Sequence, residues 1–85
     1  MWTDRNKASL ALLRLSESRD PDLLARLRRD ALAPLVDMAR WQSPGHAAPG
    51  AIILGRMAEL PEEKIAAATA TLQGREAMVA AATAR

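Results

Sequence analysis

Proline and helix-capping residues recur along this 85-residue chain and restrict it to short helical segments. Asp20, Pro21 and Asp22 form the clearest signal, because an aspartate N-cap, a proline at the first helical position and an acidic first turn all favour a helix start. Residues 43–45 read Ser-Pro-Gly, which is typical of a turn. No segment alternates apolar and polar residues as a half-buried strand would. The sequence therefore predicts an all-α fold.

The same signals predict a single domain of four to five short antiparallel helices, arranged as a stack or a small helical bundle. The predicted helices span 4–18, 21–42, 46–60, 61–73 and 75–84. Pro34 interrupts the second helix, but the apolar stripe continues in phase on both sides, so one helix with a kink at Pro34 is expected. In the first helix Leu12 and Leu15 are expected to share one face. Gly74 is expected to end the fourth helix.

The chain also matches itself weakly when it is shifted by 42 residues, so that Leu10 aligns with Ile52. The further aligned pairs are Leu12 with Leu54, Arg14 with Arg56, Leu15 with Met57, Glu17 with Glu59, Leu23 with Ile65 and Ala25 with Ala67. This period falls in the range of roughly 40–47 residues that two-helix solenoid repeats show.

In this region the chain resembles a HEAT-like helical repeat, in which an often proline-kinked helix precedes a helix with a Leu-Gly-x-Leu type signature. Pro34 lies within residues 31–41, and the next predicted helix contains Leu54-Gly55-Arg56-Met57. The likeness covers 22–60, less than half of the chain. The resemblance implies a stack of antiparallel helices with a curved protein-binding face. It also implies that Gly55 allows neighbouring helices to approach closely.

Composition argues against several classes of function. Twelve basic and ten acidic residues leave a net charge of +2, which is too balanced for the clustered basic face of a nucleic-acid binder. With no cysteine and His46 as the one histidine, the common ligands of transition-metal sites are scarce. Ser43 and His46 are better explained as a helix cap than as a nucleophile and its base, because no third orienting group is visible. No catalytic, cofactor-binding or metal-binding residue is therefore predicted, and no enzyme activity is expected.

Two sequence features bear on location. The first five residues turn polar at once and lack the apolar run of a signal peptide. The longest strongly apolar stretch, residues 51–54, is far shorter than the roughly 20 residues that a membrane span needs. A cytoplasmic protein without a membrane contact is expected.

Five residues are predicted to contact a partner: Trp2, Arg26, Arg29, Arg40 and Trp41. Tryptophan is enriched at binding hot spots, and the three arginines are expected to share a helix face. Solenoid repeats need about three units for stability, and this chain has two at most, which points to another protein or a second copy as partner. The predicted function is a non-enzymatic protein-interaction or adaptor module. The alternatives are a self-assembling structural protein and a small nucleic-acid-associated regulator, although no aromatic residue lies among the arginines to stack on bases.

Overall fold

The computed structural model describes residues 2–41 and 43–84, and the side chains at positions 2–6, 8, 9 and 44 lie outside that description. The described residues form five helices: α1 (Trp2–Ser16), α2 (Pro21–Ala39), α3 (Pro44–Met57), α4 (Glu62–Thr69) and α5 (Leu72–Thr83). They contain no strand. The predicted all-α class, a small helical bundle, is confirmed.

The first three helices end two to three residues earlier than the sequence predicts. The turns after α1 and α3 each contain a non-glycine residue with positive φ, 54° at Arg19 and 64° at Glu59, and this left-handed conformation cannot continue a helix. Helix α2 starts with the Asp20 side chain accepting a hydrogen bond from the backbone N–H of Asp22 at 2.9 Å. It continues through Pro34 and ends at Ala39 rather than at residue 42.

The fourth helix differs most from its prediction. It ends at Thr69 instead of residue 73, and Gly74 lies inside the first turn of α5. Thr71 begins that turn, because its Oγ1 accepts a hydrogen bond from the N–H of Gly74 at 2.9 Å. A Cβ atom placed on Gly74 would lie 2.0 Å from the carbonyl oxygen of Ala68. Gly74 therefore allows α5 to approach α4 closely and does not end a helix.

Helix α3 lies at the centre of the bundle and packs against each of the other four helices. Its buried residues join those of α2, α4 and α5 in one core: Leu27, Leu35, Ala39, Ala51, Ile53, Leu54, Met57, Ile65, Met78, Val79 and Ala82. A Cβ on Gly55 would lie 2.7 Å from Cγ1 of Ile65 and 2.8 Å from Sδ of Met78. Gly55 thus stands where α3 approaches both α4 and α5, which is the role that the sequence resemblance implies for it.

Candidate protein-binding surface

The predicted partner-binding arginines lie along the outer face of α2 and at its C-terminal end. Arg26, Arg29 and Arg40 are all exposed, and Trp41 follows directly after them. Trp41 is 41% exposed. The side chain of Trp2 lies outside the described residues. The structure thus brings four of the five predicted residues to one side of the molecule.

The outer face of α2 carries as many acidic as basic residues. Asp22, Asp30 and Asp37 are also exposed and recur at the spacing of the same helix face. Arg29 pairs with its neighbour Asp30, with Nε and Oδ1 3.3 Å apart. Charges of both signs along one face are typical of a solvent-exposed helix. This face therefore has little net attraction for a charged partner.

Arg40 connects the end of α2 to α5. Its Nε donates to Oε1 of Glu76 at 3.0 Å, and its Nη2 donates to Oε2 at 3.4 Å. The ring of Trp41 meets the ring of His46 edge to face, with centroids 6.1 Å apart. Leu72 lies one helical turn before Glu76 and is 59% exposed. Two large apolar side chains therefore flank this ion pair at the surface.

A second apolar surface lies on the outer side of α1. It is an open surface region of about 560 Å³, and its described lining residues all belong to α1. Among the described residues, the groove is lined by Lys7, Leu10, Ala11, Arg14 and Leu15. Leu10 is 48% exposed and Leu15 is 57% exposed. We call this surface the α1 groove.

The α1 groove exists because α1 carries leucine on more than one side. Leu12 and Leu13 pack against the core, so the helix docks through them. Leu10 and Leu15 remain exposed, so of the two residues expected to share one face, Leu12 packs against the core and Leu15 does not. The sequence reasoning missed this surface, although four leucines within residues 10–15 cover too much of a helix circumference to be buried against one neighbour.

A buried arginine fastens α1 to α3. Arg56 is 7% exposed. Its Nη1 donates to the carbonyl of Leu13 at 2.9 Å and to Oγ of the fully buried Ser16 at 2.8 Å. Its Nε and Nη2 donate to the two carboxylate oxygens of Glu62 at 3.2 and 2.9 Å. One guanidinium thus joins three elements through the fork geometry that arginine alone offers.

A second cation also binds Glu62, because Arg19 donates hydrogen bonds both to the carboxylate of Glu62 and to the carbonyl of Leu60. The hydrogen bond from Arg56 and then that from Arg19 lower the pKa of Glu62 from 4.5 to about 2. The carboxylate is charged at neutral pH, and it holds the turn after α1 against the turn after α3.

This lowered pKa predicts a specific loss of stability in acid. The unfolded chain binds a proton at Glu62 near pH 4.5, whereas the folded chain does so only near pH 2. The contribution of the Glu62 carboxylate to the free energy of unfolding is therefore complete above pH 4.5 and disappears as the pH falls towards 2. Because the Glu62 side chain is 55% exposed, we expect about 1 kcal/mol or less. Urea unfolding across this range should show a shallower pH dependence for Glu62→Gln than for the wild-type chain. The exposed neighbour Glu63 provides the control. If Glu63→Gln reduced the pH dependence of the unfolding free energy as much as Glu62→Gln does, the assignment of this dependence to Glu62 would be contradicted.

Two further arginines donate hydrogen bonds to backbone carbonyls near the C-terminal ends of helices. Arg28 donates from Nη1 to the carbonyl of Ala82 and from Nη2 to that of Met57 at 3.0 Å, which satisfies acceptors in the last turns of α5 and α3. Arg75 is 4% exposed and donates from Nη1 to the carbonyl of Thr69 at 2.9 Å. Its Nε has no hydrogen-bond partner among the described residues. These contacts stabilise the fold.

A cleft of about 580 Å³ lies beside this arginine network. The lining residues that the structure describes are Arg19, Pro21, Leu24, Ala25, Arg28, Arg56, Met57 and Glu59. All three of its arginines donate hydrogen bonds to acceptors of this chain. The side chains of these described lining residues include no hydroxyl, thiol or imidazole group, so they offer no nucleophile with an adjacent base.

Within residues 2–41 and 43–84, no three histidine, cysteine or acidic side chains come together in a group that could hold a metal ion. No helix in the described part of the chain combines the length and the apolar character required to cross a membrane. Comparison with known proteins found no matching protein-family model, no matching curated protein and no matching solved structure. The function is therefore argued from the surfaces themselves.

Proposed function

We propose that this chain is a non-enzymatic protein-interaction module that binds through the α1 groove. The observation that carries the proposal is the exposure of Leu10 and Leu15, which line the same surface region of a helix that packs against the core through Leu12 and Leu13. Exposed apolar patches rimmed by charged residues mark interaction sites in proteins. Here the cations Lys7 and Arg14 lie on the same surface as the two leucines.

The HEAT-like interpretation supports this proposal. The resemblance covers residues 22–60, which contain α3 and all of α2 but its first residue, and these two helices pack against each other, while α1 packs on α3 outside this pair. In a two-unit helical repeat, α1 would be an outermost helix. Terminal repeats need either a polar outer face or a neighbour that covers them. The outer side of α1 is partly apolar, so a covering partner fits this arrangement.

The other apolar surface, around Trp41 and Leu72, supports the same class of function. Tryptophan at a protein surface supplies a large contact area at a small cost in conformational entropy. The ion pair between Arg40 and Glu76 already satisfies the charges within this surface. We propose it as an additional contact for a protein partner.

Photocrosslinking tests the proposal directly. A photoreactive residue in place of Leu15 should yield a specific adduct with another protein in a native extract, and excess unlabelled wild-type chain should suppress it. The same residue in place of Lys64, which is exposed on α4, is the matched control. The double variant Leu10→Gln and Leu15→Gln should fail as a competitor.

That double variant should remain folded and lose no more than about 2 kcal/mol of stability, because both side chains are about half exposed. Equal adducts from positions 15 and 64 would contradict binding through α1. An adduct between two copies of the chain alone, together with light scattering that shows a dimer, would favour the self-assembling alternative.

A further inference from the structure

The charges at the α1 groove restrict what can occupy it. Among the described residues that line it, the charged ones are Lys7 and Arg14, and both are cationic. They are seven residues apart, which is two helical turns or about 10 Å along the axis. Leu10, Ala11 and Leu15 lie on the same side. The groove therefore combines apolar side chains with a positive charge near each end.

A helix is the partner shape that fits this pattern. Amphipathic helices bind in apolar grooves through anchors spaced three, four and seven residues apart. Ala11 lies between the two leucines and has a short side chain, so a second helix can approach α1 closely at that point. Acidic residues two turns apart on the partner would meet both Lys7 and Arg14.

A second copy of this chain is a poor occupant. In an antiparallel pairing centred on the groove, Lys7 of one copy would oppose Arg14 of the other. In a parallel pairing, Lys7 would oppose Lys7 and Arg14 would oppose Arg14. Like charges across an interface disfavour association, and in the two-fold symmetric antiparallel contact the repulsion between Lys7 and Arg14 occurs twice.

On the strength of the proposed function, we infer that the α1 groove binds an acidic amphipathic helix of a different protein. An acidic membrane surface fits the groove less well. Stable electrostatic attachment to anionic lipids usually involves clusters of four to eight basic residues, whereas the described lining of this groove includes two. The leucines of α1 that face the core are also committed to the fold, as shown for Leu12 and Leu13.

Selection from a display library of helical peptides, with randomised polar positions beside a fixed apolar stripe, tests the inference. The wild-type chain should enrich peptides with Asp or Glu two turns apart. The variant Lys7→Glu with Arg14→Glu should bind these peptides about tenfold more weakly and should enrich basic peptides instead. Lys64→Glu, which reverses an exposed charge on α4, is the matched control and should change neither result.

Several outcomes would overturn the inference: no enrichment, enrichment of neutral or basic peptides by the wild-type chain, or enrichment that the double charge reversal leaves unchanged. Tighter binding to phosphatidylserine vesicles than to the selected peptides, with the same dependence on Lys7 and Arg14, would assign the groove to membranes. The photocrosslinking experiment separates this failure from that of the proposed function. A partner that is crosslinked at position 15 through a segment that is not acidic would contradict the inference but not the proposed function.

Discussion

Replacing Gly74 with alanine should destabilise the chain strongly, although the change adds only one methyl group. The added Cβ would lie 2.0 Å from the carbonyl oxygen and 2.6 Å from the carbonyl carbon and Cα of Ala68, so the backbone of α4 or α5 must move. Overpacking typically costs 1–3 kcal/mol and occasionally more, and the better helix propensity of alanine returns about 1 kcal/mol. Because the clash is with backbone atoms, we expect the upper end of this range, a net loss of about 2 kcal/mol, which lowers the thermal midpoint by about 8–16 °C in a domain of this size. Thermal unfolding followed by circular dichroism measures it.

Gly45 is the matched control for this substitution. It also lies in the first turn of a helix, α3, but a Cβ there would meet no atom within 4 Å. Gly45→Ala should therefore be neutral or stabilising by up to about 1 kcal/mol. Equal midpoints for the two variants would show that α4 and α5 do not approach each other as the structure has them.

The number and order of the helices could be predicted because their signals are local. Asp20, Pro21 and Asp22 specify the start of α2 through a side chain and a backbone N–H two residues apart. The apolar stripe that follows needs no knowledge of the rest of the chain. In the same way, the likeness around Gly55 indicated a close helix approach.

The errors arose where a distant contact decides the local structure. Gly74 was interpreted as a helix end because glycine is common there, whereas it is required by the backbone of Ala68 in the preceding helix. The sequence contains the competing signal, a threonine N-cap at position 71. Choosing between the two required the packing of α4 against α5.

The α1 groove was missed for a related reason. Four leucines within residues 10–15 predict a helix with apolar side chains on several sides, but the sequence does not say which side docks. The structure decides this through Leu12 and Leu13, which pack on the core and leave Leu10 and Leu15 exposed. The predicted partner residues Arg26 and Arg29 lie on an exposed face as expected of a helix surface, and their role in binding stays a prediction.

Arg56 illustrates what self-similarity of a sequence can and cannot show. It aligns with Arg14 in the 42-residue repeat, yet Arg14 is exposed and Arg56 is buried. The difference comes from the partners that Arg56 finds far away in the chain, at Leu13 and Ser16. The two aligned positions thus differ because Arg56 hydrogen-bonds to residues of α1 and α4, whereas the side chain of Arg14 is exposed.

This difference makes Arg56→Met the second large expected effect. Methionine keeps much of the length of the side chain but removes its donors, so Ser16 and Leu13 lose buried hydrogen bonds and Glu62 keeps Arg19 alone. Hydrogen bonds to charged groups contribute about 1.5–3 kcal/mol each, and the exposure of Glu62 reduces its share, so we expect a total loss of about 3 kcal/mol. Urea unfolding at neutral pH measures it. Arg14, the exposed residue that aligns with Arg56, is the control: Arg14→Met should change stability by less than about 0.5 kcal/mol.

Because α1 docks through this network, the Arg56 variant should also lose protection from hydrogen exchange in α1 before it does so in the rest of the bundle. A uniform loss of protection across all five helices would show that Arg56 has no special role in holding α1.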